Sequence, residues 1–314
     1  MVKNASDSAD ARLNRRIWIA LGVLIVIVTA FAAYYYYDRY VAPPGAVKTA
    51  DPIVQLEEQV KKKPNDADLR LSLAENYLLY RRYSDAIAQA NEVLKAYPKK
   101  DRALLVAGVS YALNGQAKES LEPLDKYIGI HEKGQAAALD TGLQAALYYQ
   151  ADSYMKLDRA ADAIKPAERA VGISPTDADA LYLLGTANAA AGKHEHALVV
   201  LQKAVALVPD YAEAYQAMAA SWDATGEPVL ADYARAMVDF SAKDYEASRD
   251  KLLAVVAKKK DFGPALLGLG LAYEQLSDLK NARASLKTAL KLTPRSIAVQ
   301  QALGRVEATQ QQNQ

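Results

Sequence analysis

The chain of 314 residues contains no cysteine, and this absence excludes several kinds of site. Disulfide bonds, metal sites built from thiolates, a cysteine nucleophile and lipid attachment through cysteine are all ruled out. The compartment stays open, because a helical protein needs no disulfide in an oxidising space. An excess of charge is also missing, since 38 basic residues oppose 37 acidic ones. No basic field therefore indicates nucleic-acid binding, and we expect no nucleic-acid partner.

Glycine and proline are scarce, with 15 and 12 residues, and strand-type alternation is hard to find. Apolar residues recur instead at helical spacing. The clearest stretch is 178–211, where a Gly-Lys turn separates two apolar-faced helices and Pro209 ends the second. Gly185 and Ala197 are small where two helices of a tight hairpin cross closely. These patterns predict an all-α protein built from helical hairpins.

The hairpin pattern recurs along most of the chain after residue 52. A small residue is followed three positions later by an aromatic one at Ala74 and Tyr77, Ala151 and Tyr154, and Gly270 and Tyr273. An alanine opens the second helix and a proline closes the unit, at Ala86, Ala163, Ala197 and Ala282 and at Pro98, Pro175, Pro209 and Pro294. In these features the chain resembles the tetratricopeptide repeat (TPR) family, whose unit has about 34 residues. The resemblance implies a right-handed α-solenoid of helical hairpins.

The matches to the repeat are not uniform. Asn188 stands at the aromatic position of the fourth unit, and the second unit has no closing proline. Pro98 and Pro175 are two units and nine residues apart, so we expect longer helices or a protruding loop near 129–143. Pro209 and Pro294 are two and a half units apart, which predicts one additional helix within 212–241.

An odd helix breaks the alternation of first and second helices. We therefore predict an N-terminal array over residues 52–227 and a C-terminal array over 228–314. The last stretch, 295–309, is more polar and suits a capping helix whose outer face meets water.

One long apolar run lies near the N-terminus, at residues 17–37. About 21 residues give a helix of about 31 Å, which is enough to cross a bilayer. Trp18 and the tyrosines at 34–37 lie at its two ends, as aromatic belts do. Basic residues are concentrated before the run, so the positive-inside rule predicts a cytoplasmic tail over 1–16. Residues 38–51, which contain two prolines and a glycine, are expected to form a linker.

The run therefore predicts an uncleaved anchor that contacts the lipid bilayer through residues 17–37. The protein would be a single-pass protein of the cytoplasmic (inner) membrane, with its repeat domain in the periplasm or outside the cell. A cleaved signal peptide is the alternative, because Ala30-Phe31-Ala32 resembles a cleavage site, although the run is longer than a signal peptide core.

No pattern in the sequence indicates an enzyme. A glycine-rich phosphate loop, a serine nucleophile motif and a His-Glu metal motif are all missing. His194 and His196 are two residues apart and do not share a helix face, and His131 is the only other histidine. We expect no catalytic residue, no cofactor and no metal site.

The resemblance also implies a binding surface, because the first helices of TPR hairpins line a concave groove that holds peptides or helices of partners. Ten residues are predicted to face it, and they mix apolar, aromatic and carboxylate groups: Leu71, Glu75, Leu78, Leu105, Val109, Tyr148, Asp152, Tyr182, Thr186 and Gln216. Some of them are expected to pack against the neighbouring hairpin instead. The basic residues and asparagine that clamp a C-terminal carboxylate in chaperone-binding members are not at the matching positions.

Together these features predict a membrane-anchored scaffold or adaptor. It would bind membrane-associated proteins or peptides outside the cytoplasmic membrane, for envelope complex assembly or client chaperoning. Two alternatives stay open. The solenoid is a permanent structural subunit of a larger membrane complex, or, by family resemblance, it presents apocytochrome during c-type cytochrome maturation.

Overall fold

The computed structural model describes residues 52–133 and 137–312. Within these ranges there are fifteen α-helices, one 3₁₀ turn at Ala137–Leu139 and no β-strand. The helices are α1 (Pro52–Lys62), α2 (Ala67–Leu79), α3 (Tyr83–Ala96), α4 (Asp101–Leu113), α5 (Ala117–His131), α6 (Thr141–Lys156), α7 (Ala160–Ile173), α8 (Ala178–Ala190), α9 (His194–Leu207), α10 (Ala212–Ala224), α11 (Pro228–Ser241), α12 (Tyr245–Lys258), α13 (Gly263–Gln275), α14 (Leu279–Leu292) and α15 (Ile297–Gln312).

The predicted tail, membrane anchor and linker of residues 1–51 lie outside the described residues. In the part of the chain that the structure describes, none of the helices has the length and apolar character needed to cross a bilayer.

The chain divides into two compact units, and the boundary lies after Lys62. Of the first unit the structure describes α1, whose last turn carries Lys61 and Lys62, cations that suit a helix C-terminus. The second unit, residues 63–314, contains α2 to α15, and each of these helices packs against the next. The second unit is an α-solenoid of hairpins, as the sequence predicts.

Small residues allow the two helices of a hairpin to approach closely. The four predicted second-helix alanines are fully buried, at Ala86, Ala163, Ala197 and Ala282. A β-carbon placed on Gly185 would lie 2.6 Å from the Leu201 side chain, and one on Gly270 would lie 2.5 Å from Leu286. Both distances are shorter than van der Waals contact, so a larger side chain at either glycine would have to displace the leucine packed against it.

A residue with left-handed backbone conformation marks the turn inside every hairpin. These residues have φ between 56° and 79° and are Arg81, Gly115, Asp158, Gly192, Gly226, Lys243 and Ser277. The N–H of the next residue donates to the carbonyl five positions earlier, at 2.8–3.0 Å. This pairing is the Schellman motif, which satisfies carbonyls at the end of the first helix.

The spacing between these left-handed residues gives the length of each repeat. Gly192 and Gly226 are separated by one repeat length, whereas the separation of Gly115 and Asp158 exceeds one repeat by nine positions. The nine additional residues lengthen α5 to 15 residues and α6 to 16, and they include the 3₁₀ turn. Gly226 and Lys243 are separated by only half a repeat, so α11 has a within-hairpin turn at both ends. The prediction of one additional helix is confirmed.

Helix α11 is the second helix of one hairpin and the first helix of the next. Ala231 follows Ala197 by one repeat length and holds the position of the second-helix alanine. Ala236 precedes Gly270 by one repeat length and holds the position of the small first-helix residue. Both alanines have no exposed surface, and α11 packs against both α10 and α12.

The row of first helices shifts at α11 as a result. Contacts between first helices run through α2, α4, α6, α8 and α10, and then through α11, α13 and α15. The predicted boundary after residue 227 falls in the turn between α10 and α11, within this unbroken series of packed helices. The division into two arrays stays a prediction.

Candidate functional site

The predicted groove residues at the N-terminal end of the second unit are mostly occupied by packing. Leu71 has no exposed surface and Val109 only 7%, so neither presents a surface to a partner in this structure. Leu78 and Leu105 are half-buried and pack against the same core clusters. Glu75 accepts two hydrogen bonds of 2.8 Å from the Arg102 guanidinium on the next first helix. This end of the solenoid offers a partner few free groups.

Aromatic rings gather in the middle of the solenoid. Tyr148 on α6 lies edge-on to Tyr149, with ring centroids 5.2 Å apart. Tyr182 on α8 lies 5.2 Å from Tyr211, which stands in the turn before α10. All four side chains are half-buried. We call these four residues, Tyr148, Tyr149, Tyr182 and Tyr211, the tyrosine surface.

Tyr211 was not among the predicted groove residues. It does not belong to a helix, and first-helix periodicity selects only helical positions. Its hydroxyl donates to the Asp179 carboxylate at 2.8 Å, which fixes the ring beside α8. The available signal was its place immediately before a first helix, four residues before the buried Tyr215.

Carboxylates accompany the tyrosine surface. Burial raises the pKa of Tyr148 to about 12, and the nearby Asp152 carboxylate adds to this effect. Burial also raises the pKa of Tyr211 well above its usual value, helped by the hydrogen bond to Asp179. Asp152 itself forms an ion pair with Lys156 at 2.7 Å. The surface therefore presents neutral phenol groups together with carboxylate oxygens at neutral pH.

The last two predicted residues lie farther along the first row of first helices. The Thr186 hydroxyl donates to carbonyls of its own helix, at 3.1 and 3.0 Å, and so is already engaged. Gln216 is exposed and lines a recess of about 410 Å³ between α10 and α11. Two ion pairs border that recess, Arg235 with Asp223 and Lys251 with Asp239.

A larger cavity, of about 610 Å³, opens beside α11, and we call it the α11 cavity. It is lined by mainly apolar side chains from α9, α10, α11, α13 and α15 and from the turns before α10 and α13: Gln202, Val205, Ala206, Pro209, Asp210, Tyr215, Met218, Trp222, Leu230, Tyr233, Met237, Phe240, Phe262, Pro264, Leu267, Gly268, Leu271 and Ala298. Tyr233 is in edge contact with Phe262, with ring centroids 5.0 Å apart.

The cavity and the recess lie on opposite sides of α11. Leu230, Tyr233, Met237 and Phe240 line the cavity, whereas Arg235, Val238 and Asp239 line the recess. At about 100° per residue, the centres of these two sets are about 180° apart around the helix. The shift in the row of first helices therefore gives the solenoid two distinct surfaces.

Sequence reasoning located the additional helix but did not find the cavity beside it. A compositional signal was present, because two of the three phenylalanines of the chain, Phe240 and Phe262, line the cavity. Trp222, one of two tryptophans, lines it as well.

His131 contacts two carboxylates and one aromatic ring. Its Nδ1 lies 2.7 Å from Asp140, and its Nε2 lies 3.5 Å from Asp101. The imidazole stacks on Tyr127 with centroids 4.1 Å apart. Asp140 also caps α6 by accepting the N–H of Leu143, so the histidine ties the nine-residue expansion to its hairpin. Among residues 52–133 and 137–312, no group of three or more His, Cys, Asp or Glu is arranged to hold a metal ion.

Comparison with known families gives one match. A model described as tetratricopeptide repeat matches three stretches, residues 71–138, 148–212 and 233–297. The first two begin inside α2 and α6, which are first helices, and the third begins inside α11. The match thus aligns α11 with a first helix. No curated protein matches the chain.

Solved structures with similar folds include several of MamA. One of them, MamA 41-end from Desulfovibrio magneticus RS-1, is 20% identical, with a TM-score of 0.51, over 57% of this chain and 97% of that one. Another crystal structure of MamA is 24% identical, with a TM-score of 0.48, over 55% of this chain and 95% of that one. A Cut9–Hcn1 complex of APC/C is 15% identical, with a TM-score of 0.42, over 81% of this chain and 45% of that one. At these identities the similarity concerns the fold alone.

Proposed function

The chain belongs to the tetratricopeptide repeat family, and from this premise we propose that it is a membrane-anchored scaffold that binds a partner protein at the tyrosine surface. The observation that carries the proposal is the meeting of Tyr148, Tyr182 and Tyr211 beside the carboxylates of Asp152 and Asp179. Aromatic rings on a rigid support supply large contact area at a low cost in side-chain entropy.

The chemistry of this surface favours a peptide that carries basic residues. Asp179 is exposed, and it lies beside the phenol of Tyr211. A lysine or arginine of the partner would meet a carboxylate and the face of a tyrosine ring together. We infer that the partner lays such a peptide across α6 and α8.

The binding test replaces Tyr148 and Tyr182 with alanine. Loss of two aromatic contacts should weaken partner binding by at least about tenfold, with the helical circular dichroism unchanged. A photoreactive amino acid placed at either position in cells, followed by mass spectrometry, identifies the captured protein. Tyr97→Ala serves as the control, because Tyr97 is 53% exposed in a turn outside this surface. Equal capture by all variants would contradict the proposal.

The membrane part of the proposal comes from the apolar run of residues 17–37. An anchor on the cytoplasmic membrane would confine the tyrosine surface near membrane-bound partners and raise its effective concentration for them. This suits assembly of an envelope complex or the chaperoning of exported clients. Protease added to spheroplasts should degrade the repeat domain while a cytoplasmic marker stays intact, and protection of the domain would exclude this topology.

The binding mode has its own test. A scaffold that captures partners transiently is purified largely alone in mild detergent. Stoichiometric co-purification with other subunits would indicate a permanent structural subunit instead.

A further inference from the structure

We propose that the edge of the solenoid formed by the turns after α12 and α14 binds the surface of an anionic phospholipid bilayer. This inference goes beyond the proposed function, because it assigns a membrane contact to the folded repeats themselves. It needs neither the anchor of residues 17–37 nor the tyrosine surface.

Charge is distributed unevenly along the chain, although the total is nearly balanced. Residues 140–250 contain seventeen acidic and nine basic residues, whereas residues 251–305 contain ten basic and three acidic ones. An excess of one sign in one part of a chain attracts a surface of the opposite sign. The C-terminal end of the solenoid is therefore suited to an anionic partner.

The basic residues concentrate where two turns lie side by side. One turn joins α12 to α13 and the other joins α14 to α15. A β-carbon placed on Gly263 would lie 3.0 Å from the Thr293 side chain, so the two turns are in contact. The stretches 258–262 and 291–297 together contain five basic residues and one acidic residue, Asp261. We call these two stretches the basic edge.

The helix dipole accounts for only part of this charge. Lys258 and Lys291 lie in the last turns of α12 and α14, where a cation suits a helix C-terminus. Lys260 and Arg295 lie beyond those ends and are exposed. Within residues 52–133 and 137–312, no carboxylate forms an ion pair with either of them. These two cations are free to meet phosphate groups.

Two large apolar side chains stand among the cations of the basic edge. Leu292 is 42% exposed and Ile297 is 67% exposed. Proteins that bind bilayer surfaces combine such groups, because the apolar side chains enter the headgroup boundary while lysines and arginines stay at the phosphates. Nucleic acids instead favour basic and aromatic side chains, which contact phosphates and stack on bases. The aliphatic pair therefore favours a bilayer over a nucleic acid.

The basic edge is separate from the groove that binds partners in this family. It is made by helix ends and turns, whereas the groove is made by the faces of first helices. It shares no residue with the tyrosine surface. An anchor on the same bilayer would raise the effective concentration of the edge at the lipid, so a weak contact suffices to fix how the repeats lie on the membrane.

The test uses a single fluorescent reporter, which the absence of cysteine from the chain makes possible. The full chain with Ile297→Cys, labelled with an environment-sensitive fluorophore, is reconstituted with vesicles of phosphatidylcholine, either alone or with a third of the lipid replaced by phosphatidylglycerol. We expect a blue shift of the emission and quenching by brominated acyl chains only with phosphatidylglycerol. Both effects should disappear in about 1 M salt, where the Debye length is about 3 Å.

A label on Val199→Cys, at a position of α9 that is 57% exposed, should show neither effect. The same signal at position 297 with both kinds of vesicle would show that negative charge is not recognised. No signal with either kind would show that the edge does not touch lipid. Each of these results would overturn the proposal.

Charge reversal isolates the contribution of the cations. Lys260→Glu with Arg295→Glu should abolish the emission shift at position 297, because each basic residue near an anionic surface tightens binding about fivefold. Lys165→Glu with Lys203→Glu, at exposed positions of α7 and α9, makes the same change in net charge and should keep the shift. All four positions are exposed, so the fold should stay intact. Equal behaviour of the two double variants would contradict a specific role of the basic edge.

Flotation distinguishes failure of this inference from failure of the anchor. A chain without a working anchor should stay behind when vesicles of phosphatidylcholine alone float, yet the basic edge should still carry it with phosphatidylglycerol vesicles at low salt. A chain that floats with both kinds of vesicle is anchored. If its label at position 297 then stays in a water-like environment, the anchor stands and the contact at the basic edge is refuted.

Discussion

Ser248 holds in α12 the position that alanine holds in five other second helices, α11 among them. The residue is fully buried, and its hydroxyl has no hydrogen-bond partner among the described residues. A buried hydroxyl without a partner costs about 1–3 kcal/mol relative to its bonded state in water. The serine therefore weakens a contact that alanine would make without that cost.

Replacing Ser248 with alanine should raise the free energy of unfolding by about 1 kcal/mol, since it removes the unpaired hydroxyl and restores the repeat's own residue. Urea unfolding monitored by circular dichroism measures the change. Ser120→Ala is the matched control, because Ser120 is equally buried but its hydroxyl lies 2.7 Å from that of Ser153. That variant should lose about 1 kcal/mol. A Ser248→Ala protein less stable than the parent would show that an unseen partner satisfies the hydroxyl.

Asn188 shows what the sequence can and cannot predict about a single residue. The sequence identifies it as a departure from the aromatic position, and the structure finds it buried, with 5% exposed. Its amide donates to the Leu184 carbonyl at 2.8 Å, within its own helix. A repeat pattern gives the position of a residue, but the bond that makes a polar side chain acceptable there depends on its rotamer.

Helix α11 has two buried sides where an ordinary second helix has one. Ala236 is fully buried, whereas Gln202, which holds the same position one repeat earlier in α9, is exposed. Because Ala236 has no exposed surface, the two methyl groups that valine adds would press on packed neighbours, and such overpacking costs about 1–3 kcal/mol.

We therefore expect Ala236→Val to lower the free energy of unfolding by about 1–3 kcal/mol and Gln202→Val to change it by less than about 0.5 kcal/mol. Both variants place the same β-branched residue in a helix, so the propensity cost of valine is common to both and only the difference between alanine and glutamine, a few tenths of about 1 kcal/mol, is left. Denaturant unfolding of the two variants measures the difference. Equal stability of the two would mean that the second buried side of α11 contributes little.

The extra helix could be predicted because repeat spacing depends on chain length between closing prolines and not on side-chain detail. The α11 cavity could not, because its wall comes from residues of several helices, such as Val205, Trp222 and Leu271, that only tertiary packing brings together. The tyrosine surface falls between these cases. Periodicity places Tyr148 and Tyr182 on first helices, whereas Tyr211 joins them from a turn.

Buried phenols make the stability of the second unit sensitive to alkaline pH. Burial raises the pKa of Tyr215 from 10.0 to about 12, and it raises the pKa of Tyr233 well above its usual value. A folded-state pKa above the unfolded value means that stability is complete below pH 10 and is lost as pH rises through the folded-state value. The free energy of unfolding should therefore be flat near neutrality and fall above about pH 10.

The Tyr215→Phe, Tyr233→Phe double variant should show a shallower decline between about pH 10 and 12 than the parent. Urea unfolding at a series of alkaline pH values gives the two slopes. Tyr97→Phe, at an exposed position, should keep the parent slope. If the double variant also keeps the parent slope, ionisation of these two phenols does not limit alkaline stability.

The solenoid is expected to unfold across α11 as one unit. Stability in repeat proteins is the sum of each repeat and its contacts with neighbours, and α11 supplies a contact in both directions. Hydrogen exchange followed by mass spectrometry should give α10 and α12 the same opening free energy, and Ala236→Val should lower both. Independent exchange on the two sides of residue 227 would instead support two separate arrays.

The helix that belongs to two hairpins also fixes how such a chain can grow or shrink. Adding or deleting a complete hairpin on either side of α11 leaves every remaining helix in its own row, because an even number of helices preserves the alternation. Adding or deleting a single helix exchanges the rows beyond that point and moves every downstream side chain to the opposite side. Changes in length by whole repeats, in multiples of about 34 residues, therefore leave the tyrosine surface and the α11 cavity on the same sides of the solenoid as before. A change of half a repeat would instead move every surface beyond that point to the opposite side of the solenoid.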